Sequence, residues 1–223
     1  MEYEIYSHRH GLTIMKNDPA CLPIWNEIIE VIESISDTNI IKLHSREYLL
    51  KNKSISTAIN ALLKKRFTAK NWAYESYIFN DTRYKNKAWR LDFAKESVSL
   101  EVGFNHSGSI AWNLMKPVIG SELNHVEKAI QTKIGVIICA TNELQVAGGF
   151  DNAIGTYEQY IDHLKPLRVQ LTTPLVIIGL KKPKDFYIKL YKPLPNKTLG
   201  EIILYPSKLK LLNALKKGYI LVK

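Results

Sequence analysis

Asp92 and Glu101 are the residues of this 223-residue chain whose types and spacing most suggest chemistry. They lie where Leu91 and Phe93 alternate with Arg90 and Asp92, and where Val98, Leu100, Val102 and Phe104 alternate with Ser97, Ser99, Glu101 and Gly103. Two short runs of period two predict a β-hairpin with its tight connection near Glu96-Ser97. A turn centred there sets Asp92 opposite Glu101 on one face, where two carboxylates repel unless a cation sits between them. Magnesium takes hard oxygen ligands, usually one or two carboxylates plus waters and phosphate oxygens. Phosphodiester hydrolysis is a reaction that such an ion serves. The competing reading is a pair of ordinary acids on a solvated sheet face. Against it, Leu100 should be buried, which puts Glu101 at the edge of a core, and Glu75 supplies a further acid 17 residues before Asp92.

The elements around this hairpin can be read in order. Apolar residues at Ile24, Trp25, Ile28, Ile29, Val31, Ile32 and Ile35 make a helical stripe, with Pro23 in its first turn and Asp37 past its end. Residues 54–70 form a second amphipathic segment with Ile59, Leu62, Leu63 and Phe67 inward, and with Lys64-Lys65-Arg66 as a solvated helix end or, alternatively, a phosphate contact. After Phe104, a polar loop at 105–109 leads into a long, mainly helical segment expected over 110–132, kinked or split at Pro117 and Gly120. The nearly continuous apolar runs 133–140 and 174–180 read as strands buried on both faces. Between them come an irregular loop at 144–153, containing Gly148-Gly149 and Asp151-Asn152, and a helix at 156–167. The stretch from Lys181 onward is basic, with Tyr187, Tyr191, Tyr205 and Tyr219 interleaved. The expected fold is α/β, a central mixed sheet with helices on both sides and the acidic hairpin near its middle, in one domain spanning 1–223.

Composition narrows the class of partner. Lys plus Arg exceed Asp plus Glu by 31 to 21, a net charge of +10 that favours a polyanion such as nucleic acid. Cys21 and Cys139 supply neither a disulfide framework nor zinc spacing, so a reducing cytoplasm is expected. Met1 is followed by Glu2 and Glu4, unlike a signal peptide, and no apolar run approaches the ~20 residues that span a bilayer. His125 and His163 read as helix-face residues without chemistry.

From Asn71 to Leu180 the order of these segments resembles the BamHI/BglII/BstYI group of type II restriction endonucleases, within the PD-(D/E)XK nuclease superfamily. The likeness is closest over Leu100-Glu-Val-Gly-Phe and the two buried strands, and extends to Leu22-Pro-Ile-Trp-Asn-Glu-Ile. It implies a restriction-endonuclease-like fold with its catalytic core at about 71–180. It also implies a homodimer that cuts double-stranded DNA at a short palindrome with Mg2+, leaving 5′-phosphate and 3′-hydroxyl ends. A site with a GATC core is a further implication. By position, Asp92 and Glu101 match the metal-binding acids, Val102 would offer its main-chain carbonyl, and Glu75 matches an additional catalytic acid. Asn105, His106, Ser107, Ser109, Asp151 and Asn152 match the DNA-reading loops; as turn formers, Asn105 and Asp151 have an equally plain role. Trp112, Leu114, Val118, Leu123 and Val126 fall where the group builds its dimer contact. Gly103 departs from the pattern, because the group keeps Lys, Glu or Gln there to position the attacking water. Lys95, Lys116 or His106, with Glu75, are the candidates to replace it. The alternatives are activation of the water by metal and phosphate alone, or a protein that binds a DNA sequence without cutting it.

Overall fold

The computed structural model describes residues 1–122 and 126–206. Leu123, His125 and Tyr219 lie outside the described residues. Six strands form one mixed sheet: β1 (Tyr3–His8), β2 (Ala73–Tyr77), β3 (Arg90–Lys95), β4 (Val98–Gly103), β5 (Ile134–Ala140) and β6 (Leu175–Leu180). Their spatial order is β1-β6-β5-β4-β3-β2. Strands β4, β5 and β6 run parallel, while β1 joins β6, β3 joins β4 and β2 joins β3 in antiparallel fashion.

Parallel neighbours need crossovers, and helices supply them. Helix α5, numbered in chain order after α1 (Gly11–Asn17), α2 (Cys21–Ser34), α3 (Asp37–Leu43) and α4 (Ser56–Ala69), spans Ile110–Ser121 and links β4 to β5. Helices α6 (Asn142–Ala147) and α7 (Tyr157–Leu164) link β5 to β6. Strand alternation divides the core in two. Val98, Leu100, Val136, Ile138, Val176 and Ile178 pack with Met15, Ile28, Ile32, Ile59, Leu63 and Phe67 from α1, α2 and α4. Ile137, Cys139, Leu175 and Ile177 face the other way, onto Ile110 and Leu114 of α5 and Tyr157 and Tyr160 of α7. Both faces of β5 and β6 are therefore buried, which is why their sequences are unbroken apolar runs. On β4 the same alternation turns Ser99, Glu101 and Gly103 towards α5 and α7.

Several expectations need correction. The helix predicted over 110–132 ends at Ser121. Pro117 is accommodated inside it, but Gly120-Ser121 is a weak helical pair, and the Ser121 hydroxyl donates to the Val118 carbonyl. Beyond it, residues 126–132 are not helical: Lys128 bridges to Phe79, and Val126 and Ile130 pack on the Ile78–Phe79–Leu91 cluster. The loop expected at 144–153 begins as helix α6, capped by the Thr141 hydroxyl on Leu144 N–H and ended by Gly148 and by Gly149 at φ 66°. Within the basic stretch after Lys181, to which the sequence pattern assigned no element, a hairpin forms from β7 (Phe186–Leu194) and β8 (Lys197–Leu204). Phe186 and Ile188 anchor it to the α2/α4 side of the core.

One contact fixes α5, and with it the side chains α5 carries, against the sheet. A Cβ added at Gly135 of β5 would lie 2.4 Å from Pro117 Cβ and 2.7 Å from Leu175 Cδ2. Gly135→Ala should therefore overpack this interface, by roughly 1–3 kcal/mol, and lower Tm by several degrees. Thermal unfolding followed by circular dichroism checks this, and an unchanged Tm would show that the helix can shift freely.

Candidate active site

The β3–β4 hairpin has the register expected from alternation. Phe93 pairs with Leu100 and Lys95 with Val98, around a turn with Glu96 at φ 49°, which sets Asp92 across from Glu101. Tyr74 pairs with Phe93 and Ser76 with Leu91, so Glu75 on the edge strand β2 stands across from Asp92 in turn. Asp92 and Glu101 are thus neighbours on adjacent strands, with Glu75 beyond Asp92 at the sheet edge. Glu75 itself has φ 50°, a left-handed backbone that interrupts the ladder. Its exposed carboxylate is bound by Arg90 at 2.8 Å, and a hydrogen bond from Tyr74, then Arg90, holds it below the usual carboxylate range.

The inner two acids are tied to the backbone and to each other. Asp92 Oδ2 accepts the Val102 N–H at 2.8 Å, and Glu101 Oε1 accepts the Asp92 N–H at 3.3 Å. Glu101 Oε2 accepts Lys116 Nζ from α5 at 2.7 Å. Glu101 is 1% exposed. Burial, and then the Asp92 charge, push its carboxyl up to about 8 despite the nearby lysine. Burial also raises Asp92. Glu101 held this way resists ionisation despite Lys116, and a divalent cation is the ordinary competitor with a proton for such a place.

The donor set suits magnesium. Asp92 and Glu101 are hard oxygen donors, and the adjacent Val102 carbonyl, which accepts the Phe104 N–H at 3.2 Å, adds a third. Among the described residues no three His, Cys, Asp or Glu side chains are grouped to hold a metal alone. Magnesium needs no such cage, since waters and substrate phosphates complete its shell.

Asp92 and Val102 line one wall of a cleft of about 430 Å3. Ser56, Thr57, Asn60 and Lys64 of α4 form the opposite wall, with Tyr74 and Asn105 at its rim. The Lys64 ammonium sits 3.7 Å from the centre of the Tyr74 ring. Lys64, expected as a solvated helix end or a phosphate contact, stands on the α4 wall, which the sequence pattern did not single out. Its signal was a polar stripe, Ser56, Asn60 and Lys64 at intervals of four, on a helix otherwise used for core packing.

The two loops expected to contact DNA are joined to each other. Ser107 N–H donates to the Ala153 carbonyl at 2.7 Å, Gly155 N–H donates to the Asn105 carbonyl at 3.0 Å, and His106 bridges to Ile154. Asn105, His106, Asp151 and Asn152 are exposed, while Ser107 and Ser109 are half-buried. His106 accepts the Gly108 N–H, and Asp151 is paired with Lys53 at 2.9 Å and caps Ala153 N–H, so both also shape their own loops. His163 hydrogen-bonds Gln159 O along α7, the helix-face role expected of it. Of the apolar candidates for a dimer contact, Leu114 and Val118 are buried in the chain's own core. Trp112 is half-buried against Trp89 and donates to the Ala88 carbonyl.

The space beside Gly103 is filled. A Cβ there would lie 2.2 Å from the Tyr160 hydroxyl, which Asn113 Nδ2 holds at 2.7 Å.

The family model for restriction endonuclease BglII/BglIII matches residues 3–180. The chain belongs to that family. It is accordingly a type II site-specific endonuclease. The crystal structure of restriction endonuclease BglII complexed with a DNA 16-mer superposes with a TM-score of 0.63 at 17% identity, covering 92% of this chain and 100% of that one. The structure of free BglII superposes with a TM-score of 0.49 at 15% identity, over the same shares of the two chains. No curated protein sequence matches closely enough to count as a relative. The BglII/BglIII match reaches back to β1, beyond the stretch in which the sequence resemblance was legible.

The Asp92–Glu101 pair has a cost whose sign with pH follows from the raised carboxyl of Glu101. Below the ordinary carboxylate range the group is neutral in both folded and unfolded chains, and nothing is lost. As pH climbs towards 8 the unfolded chain ionises freely and the folded one does not, so the metal-free protein loses stability across that window. Asp92→Asn removes the like charge. It should raise Tm of the metal-free protein at pH 8 by about 2–4 °C, as ~1 kcal/mol does in a chain of this size. The gain should shrink towards pH 5, and a lower Tm at pH 8 would contradict the assignment of mutual repulsion.

Proposed function

We propose that the chain is a homodimeric, magnesium-dependent endodeoxyribonuclease that cuts both strands of duplex DNA at a short palindrome. The observation that carries this reading is the side-by-side pair of Asp92 and buried Glu101 beside a cleft whose far wall is polar and basic. The net charge of +10 and a BglII structure holding DNA support the choice of polyanion. Asp92, Glu101 and the Val102 carbonyl would hold the cation. When bound, it would polarise the scissile phosphate and lower the pKa of the attacking water.

The chain's own groups account for the rest. Val102 N–H and Asp92 N–H hold the two carboxylates in place, so little reorganisation is needed for a cation to enter. Glu75, with Arg90, borders the pair of acids at the sheet edge, where it would orient the phosphate or water. Lys64 on α4 would meet the DNA backbone, a contact that carries affinity without sequence information. Asn105, His106, Ser107, Ser109, Asp151 and Asn152 would face base edges, since their loops are mutually braced and present amide, hydroxyl and carboxylate groups suited to the major groove. A GATC-containing site remains the working choice. Attack in line would leave 5′-phosphate and 3′-hydroxyl ends. Half-buried Trp112 and the neighbouring Val126 are candidate contacts between subunits. We take residues 1–223 as one domain with its catalytic core at about 71–180. Among the described residues no helix is long and apolar enough to cross a membrane. Free thiols at Cys21 and Cys139 suit a cytoplasmic site of action.

Digestion of a sequenced plasmid with purified protein and Mg2+ tests the proposal. The expected result is discrete fragments whose ends map to one palindrome. Asp92→Ala should lower the rate by at least about a thousandfold while DNA binding in Ca2+ persists. Random smearing, or full activity in Asp92→Ala, would overturn it.

A further inference from the structure

Glycine at 103 leaves one position of the site without a side chain, and the structure shows what occupies its surroundings. Residue 103 shares a face of β4 with Glu101, two positions along the strand. The Tyr160 hydroxyl stands where its Cβ would project, so a longer residue at 103 would displace a packed and hydrogen-bonded tyrosine. Any replacement must reach Glu101 from another element.

The side chains considered for that role separate by contact. Lys95 is held at the far end of the hairpin by Glu27, at 2.8 Å to each carboxylate oxygen, and by the Lys70 carbonyl. His106 is exposed and accepts its own loop's Gly108 N–H. Glu75 is paired with Arg90 and carries the wrong sign to offset Glu101. Lys116 alone of these touches Glu101, at 2.7 Å.

Its setting is unusual for a lysine. Helix α5 lays Leu114, Pro117 and Val118 against the core, yet on the same helix it buries Asn113 and Lys116, which are 4% and 8% exposed. These two are one helical turn apart and therefore neighbours on the surface facing the sheet. Asn113 secures the Tyr160 hydroxyl beside Gly103, and Lys116 secures Glu101. An apolar pair would generally serve stability as well as a buried ion pair does, or better. A buried lysine on an acid that would bind metal therefore points to function.

We propose that Lys116 is a positioning residue that replaces, from helix α5, the side chain missing at position 103: its ammonium fixes Glu101 and supplies the positive charge beside the attacking water. This rests on the endonuclease reading above. Tyr160 and Asn113 complete the exchange by filling the space a residue at 103 would need. The lysine and a bound cation then share Glu101, so the lysine weakens cation binding while aiding the reaction.

That opposition makes the test specific. Lys116→Met and Lys116→Arg would be compared with the wild type in three measurements: calorimetric titration of metal-free protein with Mn2+, duplex binding in Ca2+, and single-turnover cleavage. Lys116→Met should bind Mn2+ about tenfold more tightly, because a like charge has left the site. It should bind duplex DNA as the wild type does and cleave at least about a hundredfold more slowly. Lys116→Arg should keep the wild-type Mn2+ affinity and recover part of the rate. Should Lys116→Met fail to fold, Lys116→Arg decides: a loss as deep as that from removing Asp92 would overturn the proposal. Wild-type cleavage by Lys116→Met, or weaker Mn2+ binding by it, would also overturn it. If the wild-type protein cleaves no duplex, the endonuclease reading fails, and Mn2+ affinity alone then judges whether Lys116 and the cation share Glu101.

Discussion

Two carboxylates held next to each other, one of them shut away from water, set the terms for the rest of this molecule. Repulsion between Asp92 and Glu101 and the burial of Glu101 both oppose ionisation, and they outweigh the help from Lys116. The fold contains this conflict by geometry. A two-residue turn fixes the register, backbone N–H groups hold each acid, and α5 delivers one ammonium to the buried oxygen. An arrangement that is unfavourable when empty and favourable around a cation is what a metal-dependent enzyme requires.

The supports of this pair are spread over the sheet. Leu100, on the opposite face of β4 from Glu101, and Phe93, next to Asp92 on β3, are fully or almost fully buried in the core that includes α4, so a register slip would exchange core for carboxylate. Gly135 lets Pro117 approach the sheet closely, and Lys116 is the residue just before Pro117. The packing of one helix on one glycine thus sets where the cationic partner of Glu101 stands. The loops bearing Asn105 and Asp151 leave the same end of the sheet and brace each other beside the acids.

Much of this was legible in the sequence, for identifiable reasons. Alternation along 91–104 encodes both the hairpin and its register, and uniform apolar runs encode the strands buried on both faces. Elements with weak or mixed patterns were not legible. Strand β1 pairs at an edge through Tyr3, Ile5 and Ser7, and the β7–β8 hairpin hides its few buried residues among lysines and tyrosines. Within the site, the pair of acids could be read because it follows from local pairing. The α4 wall of the cleft, the lysine on Glu101 and the tyrosine beside Gly103 arise from tertiary packing between segments distant in sequence. Lys116 could be named as a candidate beforehand, but only the packing of α5 on β4 separates it from Lys95 and His106.

The central claim is that Asp92 and Glu101 form one cation site. Crystals soaked in Mn2+, with data collected at the manganese edge, test it most directly. The account predicts an anomalous peak bridging the Asp92 and Glu101 carboxylates within coordination distance of the Val102 carbonyl. A peak at other residues, or none at saturating Mn2+ and pH 8.5, would contradict it.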